Sequence, residues 1–434
     1  MIDTASFRDW RPAIEVLKAW RHADADHARA VLREHQDSGS AGLLLSELDL
    51  RLSSQPAPRL LIDGLWFSRL HGGITRVWQH ILSSWLLPGL ITPAAPIAII
   101  DRNSHLSVTA GFEALEAADV DPLDLQAVAE LADANGQLAR EWGAQVFCSS
   151  WISSTSPDAP VCPELALVHD CMPERFRSPD PVLLPLRRRW WAGASAHLTV
   201  SSATAQDLKG LLPSSAAPPQ WCHLAPASAF SDVDAGPEWL RLWKRLKKEA
   251  ALPEQFLLLP ATSGIGSYKN PELLARALDD PSLSGLPLVL CGIGASERAR
   301  DLETHFTSLR GRVHAAGFTD LELSLAYRHA LAVVIPSRIE GFGLPAIEVM
   351  ASGGVALIAD ARGLREAGGE AALRFPFDQP FHLRALIKLL MDPVCAPWVR
   401  SKLQRRVEQR LQRLNPDLLG LALLAQARQI AQNV

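Results

Sequence analysis

The chain has 434 residues, 48% of them hydrophobic, with 43 basic and 47 acidic side chains and a formal charge of -4. That length exceeds what one hydrophobic core usually serves and implies two domains. The near balance of charge excludes a whole-molecule field for nucleic acid, and the scatter of six cysteines excludes the dense disulfide framework of a small secreted domain.

Along the chain, the first segment carries Asp3, Asp9 and Glu15 without a basic region followed by an apolar core, so it does not read as a signal peptide. Trp10, Ala13, Leu17 and Trp20 recur at three- and four-residue steps, the pattern of one helix face. Further helices are expected over 25–35 and 43–52, ended by Gln55-Pro56-Ala57-Pro58. This helical extension, 1–58, reads as a cap on the main body, with a partner- or membrane-docking element as the alternative. Residues 60–63 read as a buried strand, Gly72-Gly73 as a turn and 74–87 as a helix. Residues 81–100 are uncharged and long enough to cross a bilayer, but Pro88, Pro93 and Pro96 divide them into a helix end, a turn and a strand at 97–100. No spanning helix is expected, and peripheral membrane attachment stays open.

Strands at 145–149, 165–169 and 197–201, with helices between several of them, predict a mostly parallel sheet covered on both faces. Pro213, Pro218, Pro219 and Pro226 mark a hinge region. A second alternating series follows, with strands at 256–259, 287–291, 311–315, 332–335 and 355–358 and helices at 271–277, 321–330 and 345–351. Thr319 and Glu322 have the spacing of a capping box. Beyond 391 the chain is again helical, interrupted by Pro393, Pro397 and Pro416.

Sheets of this kind bind ligands beyond the carboxyl ends of their strands, and four places fit. Gly72 and Gly73 precede a helix start that could face phosphate, although a tight turn needs glycine equally often. His169-Asp170 closes a buried-looking strand, where an imidazole could touch a sugar hydroxyl or serve only as a structural hydrogen-bonder. The loop from Ser263 to Asn270 places Lys269 just before a helix opened by Pro271, with Asn270 as its expected N-cap. It is not a P-loop. The fourth place, Pro336 to Gly353, is the most specific: a strand, a glycine-rich loop carrying Glu340, then a helix opened by Pro345 and carrying Glu348 about one turn in. Two carboxylates so spaced can address a sugar and a ribose, with backbone N–H groups for phosphate between them. Cys162, His169 and Cys171 do not complete a zinc site. Asp24-Ala25-Asp26, Asp119-Val120-Asp121 and Asp232-Val233-Asp234 match a loose metal motif too cheaply to support one, so no metal or cofactor is expected.

Taken together, Gly72-Gly73, His169-Asp170, the stretch 201–208, Lys269-Asn270, the Glu340–Glu348 block and the segments Gly363-Leu364-Arg365-Glu366 and Gly368-Gly369-Glu370 resemble the retaining GT-B glycosyltransferases of family 4, the glycosyl transferases group 1, over residues 59–378. The resemblance implies an α/β fold of two Rossmann-like domains facing across a cleft, with a helical N-terminal extension. Residues 59–225 would form the acceptor domain, 226–253 a linker, 254–390 the nucleotide-sugar donor domain, and 391–434 a helical tail, with packing across both domains open. It further implies His169, Lys269 and Glu340 as catalytic residues. Gly73, Lys269, Glu340, Gly341, Phe342, Gly343, Leu344, Pro345 and Glu348 would hold the donor, and Gly72, Arg76 and Asp170 would line the acceptor side. The donor it suggests is GDP-mannose, with UDP-sugars as close competitors. The acceptor would be a glycan or lipid-linked glycan in bacterial surface polysaccharide synthesis, reached in the cytoplasm or peripherally at the inner membrane face. Another sugar-nucleotide enzyme or a non-catalytic scaffold is the alternative. Two features depart from the pattern. The stretch before Lys269 offers Gly264, Gly266 and Tyr268 where relatives commonly carry an arginine, leaving Arg338 or Arg76 to compensate, and Gly353-Gly354-Val355 lacks the usual proline.

Overall fold

The computed structural model of the protein describes residues 10–22, 24–35, 42–53, 55–69, 72–87, 97–176, 180–231, 236–260 and 263–433. His71, the prolines at 88, 93 and 96, and the Asp232-Val233-Asp234 motif lie outside the described residues. The chain divides into two compact units, Met1–Leu224 with Arg413–Val434, and Ala225–Gln412.

The first unit is built on a seven-stranded sheet of β1 (Leu60–Asp63), β2 (Ile97–Asp101), β3 (Glu113–Glu116), β4 (Val146–Ser149), β5 (Glu164–Val168), β6 (Ala196–Thr199) and β7 (Gln220–Trp221). Its order is β3-β2-β1-β4-β5-β6-β7, and every pairing is parallel. The central strands are short, mostly apolar and buried along their length, as a sheet covered on both faces requires. The edge strands β3 and β7 were not expected from sequence. Glu-Ala-Leu-Glu in β3 is largely exposed and carries the charges that protect an edge, so it lacks the apolar signature of a central strand. At the end of β1, Asp63 is fully buried and accepts hydrogen bonds from Arg102 Nε (2.8 Å) and Asn135 Nδ2 (3.2 Å). The Arg102 guanidinium and these hydrogen bonds compensate the burial of the carboxylate.

The N-terminal extension forms helices Arg11–Arg21, Ala25–Glu34 and Gly42–Leu52. They are tied to the last helix, Leu418–Ala431, which belongs to the same unit. Glu47, 1% exposed, accepts from Arg51 Nε (2.8 Å) and Arg428 Nε (2.6 Å), and Arg21 pairs with the buried Asp417. Trp85 Nε1 also donates to the Gly420 carbonyl at 2.9 Å. Of the tail, Cys395–Leu411 belongs to the second unit, where Arg410 donates to the carbonyls of Ala367 (2.9 Å) and Glu366 (2.7 Å).

The second unit has a six-stranded parallel sheet of β8 (Leu257–Pro260), β9 (Leu288–Cys291), β10 (Val313–Ala316), β11 (Ala332–Ile335), β12 (Ala356–Ala359) and β13 (Leu373–Phe375), in the order β10-β9-β8-β11-β12-β13. The expected capping box closes helix Asp320–His329: Thr319 N donates to Glu322 Oε2 at 2.8 Å and Glu322 N to Thr319 Oγ1 at 3.3 Å. Much of the stretch expected as a linker is folded in this unit. Helix Pro237–Glu249 buries Trp243 and Leu246, and the Trp243 ring stacks on His329 with centroids 4.3 Å apart. Its prolines lie outside the helix or at its first turn, where proline is tolerated. All six cysteines are free thiols. Among the described residues no helix is long and apolar enough to cross a membrane.

Candidate active site

In the second sheet β8 and β11 are neighbours, and strand order reverses between them. Loops leaving the carboxyl ends of two such strands diverge to opposite faces of the sheet and open a crevice between them. One loop ends in Lys269 and the other carries Glu340. The structure brings the two together: Lys269 Nζ donates to Glu340 Oε1 at 2.7 Å, with the side chains 20% and 10% exposed. Burial pulls the Lys269 ammonium down, but the Glu340 carboxylate opposes this and holds it up at about 12, so it keeps its charge through neutral pH. A small cavity beside the pair is lined by Pro260, Ser263, Lys269, Ser337, Glu340 and Pro345.

Asn270 does not cap the following helix through its side chain. It stands in the left-handed region at φ 53° and donates from Nδ2 to the carbonyls of Pro336 (3.1 Å) and Phe377 (2.8 Å), which fastens the lysine loop to the glutamate loop. The backbone N–H of Arg338 adds a bond to the Tyr268 carbonyl at 2.8 Å. Pro271 opens helix Pro271–Leu278 as expected. Arg338 lies against Asn270 (3.1 Å) and Glu272 (3.5 Å), so its charge is engaged within the loop pair.

Gly343, at φ 117°, turns the second loop into helix Leu344–Ala351, with Pro345 in its first turn. A helix start leaves its first N–H groups without intrahelical partners and carries partial positive charge, both favourable to phosphate. Phe342 is buried under this loop, and Glu348 is buried within the helix at 1% exposure. Sequence reasoning did not assign a seat for this loop, yet the structure shows one. A Cβ at Gly363, in helix Arg362–Gly368, would lie 2.2 Å from the Glu340 carbonyl oxygen, so the loop rests directly on that glycine's backbone. The signal available was the Gly-Leu-Arg-Glu segment, whose glycine is needed for close approach and not for a turn.

The other expected residues belong to the first unit. Gly72, at φ 128°, precedes helix Gly73–Trp85, and its carbonyl accepts from Arg76 N at 3.2 Å. His169 directly follows β5, and its Nε2 is buried with no hydrogen-bond partner among the described residues. Burial, helped by the nearby Arg187 charge, lowers its pKa to about 3, so the ring is neutral at physiological pH. Asp170 Oδ1 accepts from Met172 N at 2.9 Å, and Arg187 Nη2 donates to the Asp170 carbonyl at 2.8 Å. Asp24 caps a helix by accepting from His27 N (2.9 Å), and Asp121 pairs with Arg69 at 3.0 Å. Among the described residues no group of three or more His, Cys, Asp or Glu is gathered to hold a metal ion.

Two parallel sheets with flanking helices, each reversing strand order beside its first strand, define the GT-B fold. Residues 244–406 match the family described as Glycosyl transferases group 1. A D-inositol 3-phosphate glycosyltransferase of Streptosporangium roseum is 31% identical over 131 residues, 27% of this chain and 29% of that protein, so the match spans under a third of the relative's length. Among solved structures, Anabaena HepE in complex with UDP and glucose superposes with a TM-score of 0.59 at 16% identity, over 87% of this chain and 99% of that one. WaaG, a glycosyltransferase involved in lipopolysaccharide biosynthesis, superposes with a TM-score of 0.61 at 14% identity, over 80% of this chain and 95% of that one.

Proposed function

We propose that the protein is a retaining glycosyltransferase that moves a hexose from a nucleoside diphosphate onto a hydroxyl of a glycan or lipid-linked glycan used in bacterial surface polysaccharide. The observation that carries this reading is the Lys269–Glu340 pair at the strand-order reversal of a group 1 glycosyltransferase domain. Lys269 meets the diphosphate, and the helix start at Gly343 and Leu344 contributes backbone donors to the charge that grows as the nucleotide leaves, with Pro345 shaping the pocket. Glu340 accepts hydrogen bonds from the hexose and orients it. Gly341 and Phe342 shape the loop around the donor, and Glu348 addresses the ribose. On the first unit His169 serves as a neutral hydrogen-bonding group for the hexose, Gly73 lies on the donor side, and Gly72, Arg76 and Asp170 belong to the acceptor side.

In the reaction the bond from the anomeric carbon to the phosphate oxygen breaks. The acceptor hydroxyl forms its bond on the same face, and its proton passes to the departing phosphate oxygen. Charge stabilisation and positioning supply the catalysis, with no covalent enzyme intermediate. GDP-mannose and UDP-glucose are the two donors to compare first, the second because HepE is seen with UDP and glucose. The reaction belongs in the cytoplasm or at the inner face of the membrane. The test is a donor screen reading nucleotide release with candidate acceptors present. Acceptor-dependent release that Glu340→Ala cuts by 100-fold or more supports the reading. Full transfer by Glu340→Ala with the correct donor and acceptor contradicts it.

A further inference from the structure

A cation that the reading above does not use packs against the loop after β8. Gly264 precedes Lys269 on the loop after β8, and a Cβ built there would lie 3.1 Å from Arg298 Nη1 and 3.6 Å from Arg298 Cζ. The guanidinium therefore occupies the space that any side chain at 264 would enter. Arg298 comes from a different element, the second turn of helix Ala295–His305 after β9. Ser263 and Pro271 line both the cavity beside Lys269 and Glu340 and the narrow cleft walled by Gly264, Arg298 and Asp301. The cavity beside Lys269 and the cleft beside Arg298 thus meet at Ser263 and Pro271.

Charge decides what Arg298 is available for. Lys269 is matched by Glu340, whose side chain is 10% exposed, and Arg338 lies 3.5 Å from Glu272, whose side chain is 9% exposed. A diphosphate arriving there meets cations already balanced by buried carboxylates. Arg298 is held differently. Its Nη1 lies 3.4 Å from Asp301 and 3.7 Å from Glu297, carboxylates that are 43% and 63% exposed. Pairs of that length and exposure are screened by water and contribute at most about 1 kcal/mol. Meanwhile its Nε is buried with no hydrogen-bond partner among the described residues. A buried guanidinium N–H without an acceptor is costly, and a phosphate oxygen would satisfy it with a charge-assisted bond.

Resting on the proposed donor site, we propose that Arg298 supplies the second cation for the nucleotide diphosphate, reaching over Gly264 from the helix after β9. Gly264 is then the residue that lets the guanidinium approach the loop, and neither Arg338 nor Arg76 is needed for the task. Arg298 binds the phosphates and leaves the nucleoside to other groups.

The test compares UDP and GDP with uridine and guanosine by titration calorimetry, using the full-length wild type, Arg298→Gln and Arg298→Lys, each checked by thermal melting. We expect Arg298→Gln to weaken the preferred nucleoside diphosphate about tenfold or more while leaving the matching nucleoside unchanged. Arg298→Lys should fall between the two, because it keeps the charge and loses the planar fork. Unchanged diphosphate affinity in Arg298→Gln overturns the inference, as does an equal loss for diphosphate and nucleoside, which would mark a purely structural role. If the wild type binds neither diphosphate, the donor site itself is refuted and this inference falls with it. If the wild type binds and Lys269→Gln weakens binding while Arg298→Gln does not, only the inference fails.

Discussion

Gly363→Ala is a single-methyl perturbation aimed at the seat of the glutamate loop. Within helix Arg362–Gly368 the substitution alone should be mildly favourable, since alanine is preferred over glycine by about 1 kcal/mol in a helix interior. The added methyl, however, would lie 2.2 Å from the Glu340 carbonyl oxygen, 2.9 Å from its carbonyl carbon and 3.1 Å from the Gly341 oxygen. These are backbone atoms that cannot swing aside, so loop or helix must move by roughly 1 Å, a displacement that at a reacting centre can cost on the order of 100-fold in rate. Overpacking of this kind costs about 1–3 kcal/mol, partly offset by the helix preference. The net expectation is a fall in melting temperature of no more than several degrees together with a loss of transfer far larger than that fall explains. Steady-state transfer and differential scanning fluorimetry on the same preparation read both. Gly285→Ala is the control, because a Cβ there meets nothing within 4 Å, and it should leave both readings unchanged. Full activity in Gly363→Ala, or a raised melting temperature with normal kinetics, would refute the claim that the Glu340 loop is positioned by that contact.

Lys269→Gln removes the buried partner of Glu340 and should weaken nucleoside diphosphate binding by roughly 10- to 150-fold, the range for losing a charged hydrogen bond, while Lys269→Arg should recover part of it; calorimetry checks both. His169 gives a pH expectation. Its folded pKa near 3 lies below its ordinary value, so the unfolded chain takes up a proton that the folded chain refuses. That contribution to stability is fully present above about pH 6.5 and is lost as pH falls towards 3, at up to about 1.4 kcal/mol per pH unit. His169→Asn should therefore flatten the stability–pH curve between pH 6 and 4 by about one proton's worth, measured by urea unfolding, and an identical slope would contradict the burial argument. His80, His197 and His329 are also lowered by burial, so the wild-type slope should exceed that of one histidine.

Much of this architecture was legible in the sequence because buried parallel strands are short, continuous and apolar. The runs at 60–63, 97–100 and 332–335 sit within a residue of β1, β2 and β11. The strands missed, β3, β7 and β13, lie at or near sheet edges and carry exposed or polar residues, where the apolar signal fades. At the site, residue type and order pointed to Lys269 and Glu340, since a lysine before a helix start and a glutamate on a glycine-rich loop are local patterns. Asn270 read as a cap from its position alone. Its use as a tie to Pro336 and Phe377 depends on loops far apart in the chain. The same holds for Gly363 under Glu340 and for Arg298 over Gly264, contacts that single-sequence periodicity does not encode.

The most direct measurement is a structure of the protein with an intact, non-transferable nucleoside diphosphate hexose bound. The account predicts phosphate oxygens within hydrogen-bond distance of Lys269 Nζ, and the hexose held against Glu340. A donor bound with both side chains still closed on each other and no phosphate near either would contradict it.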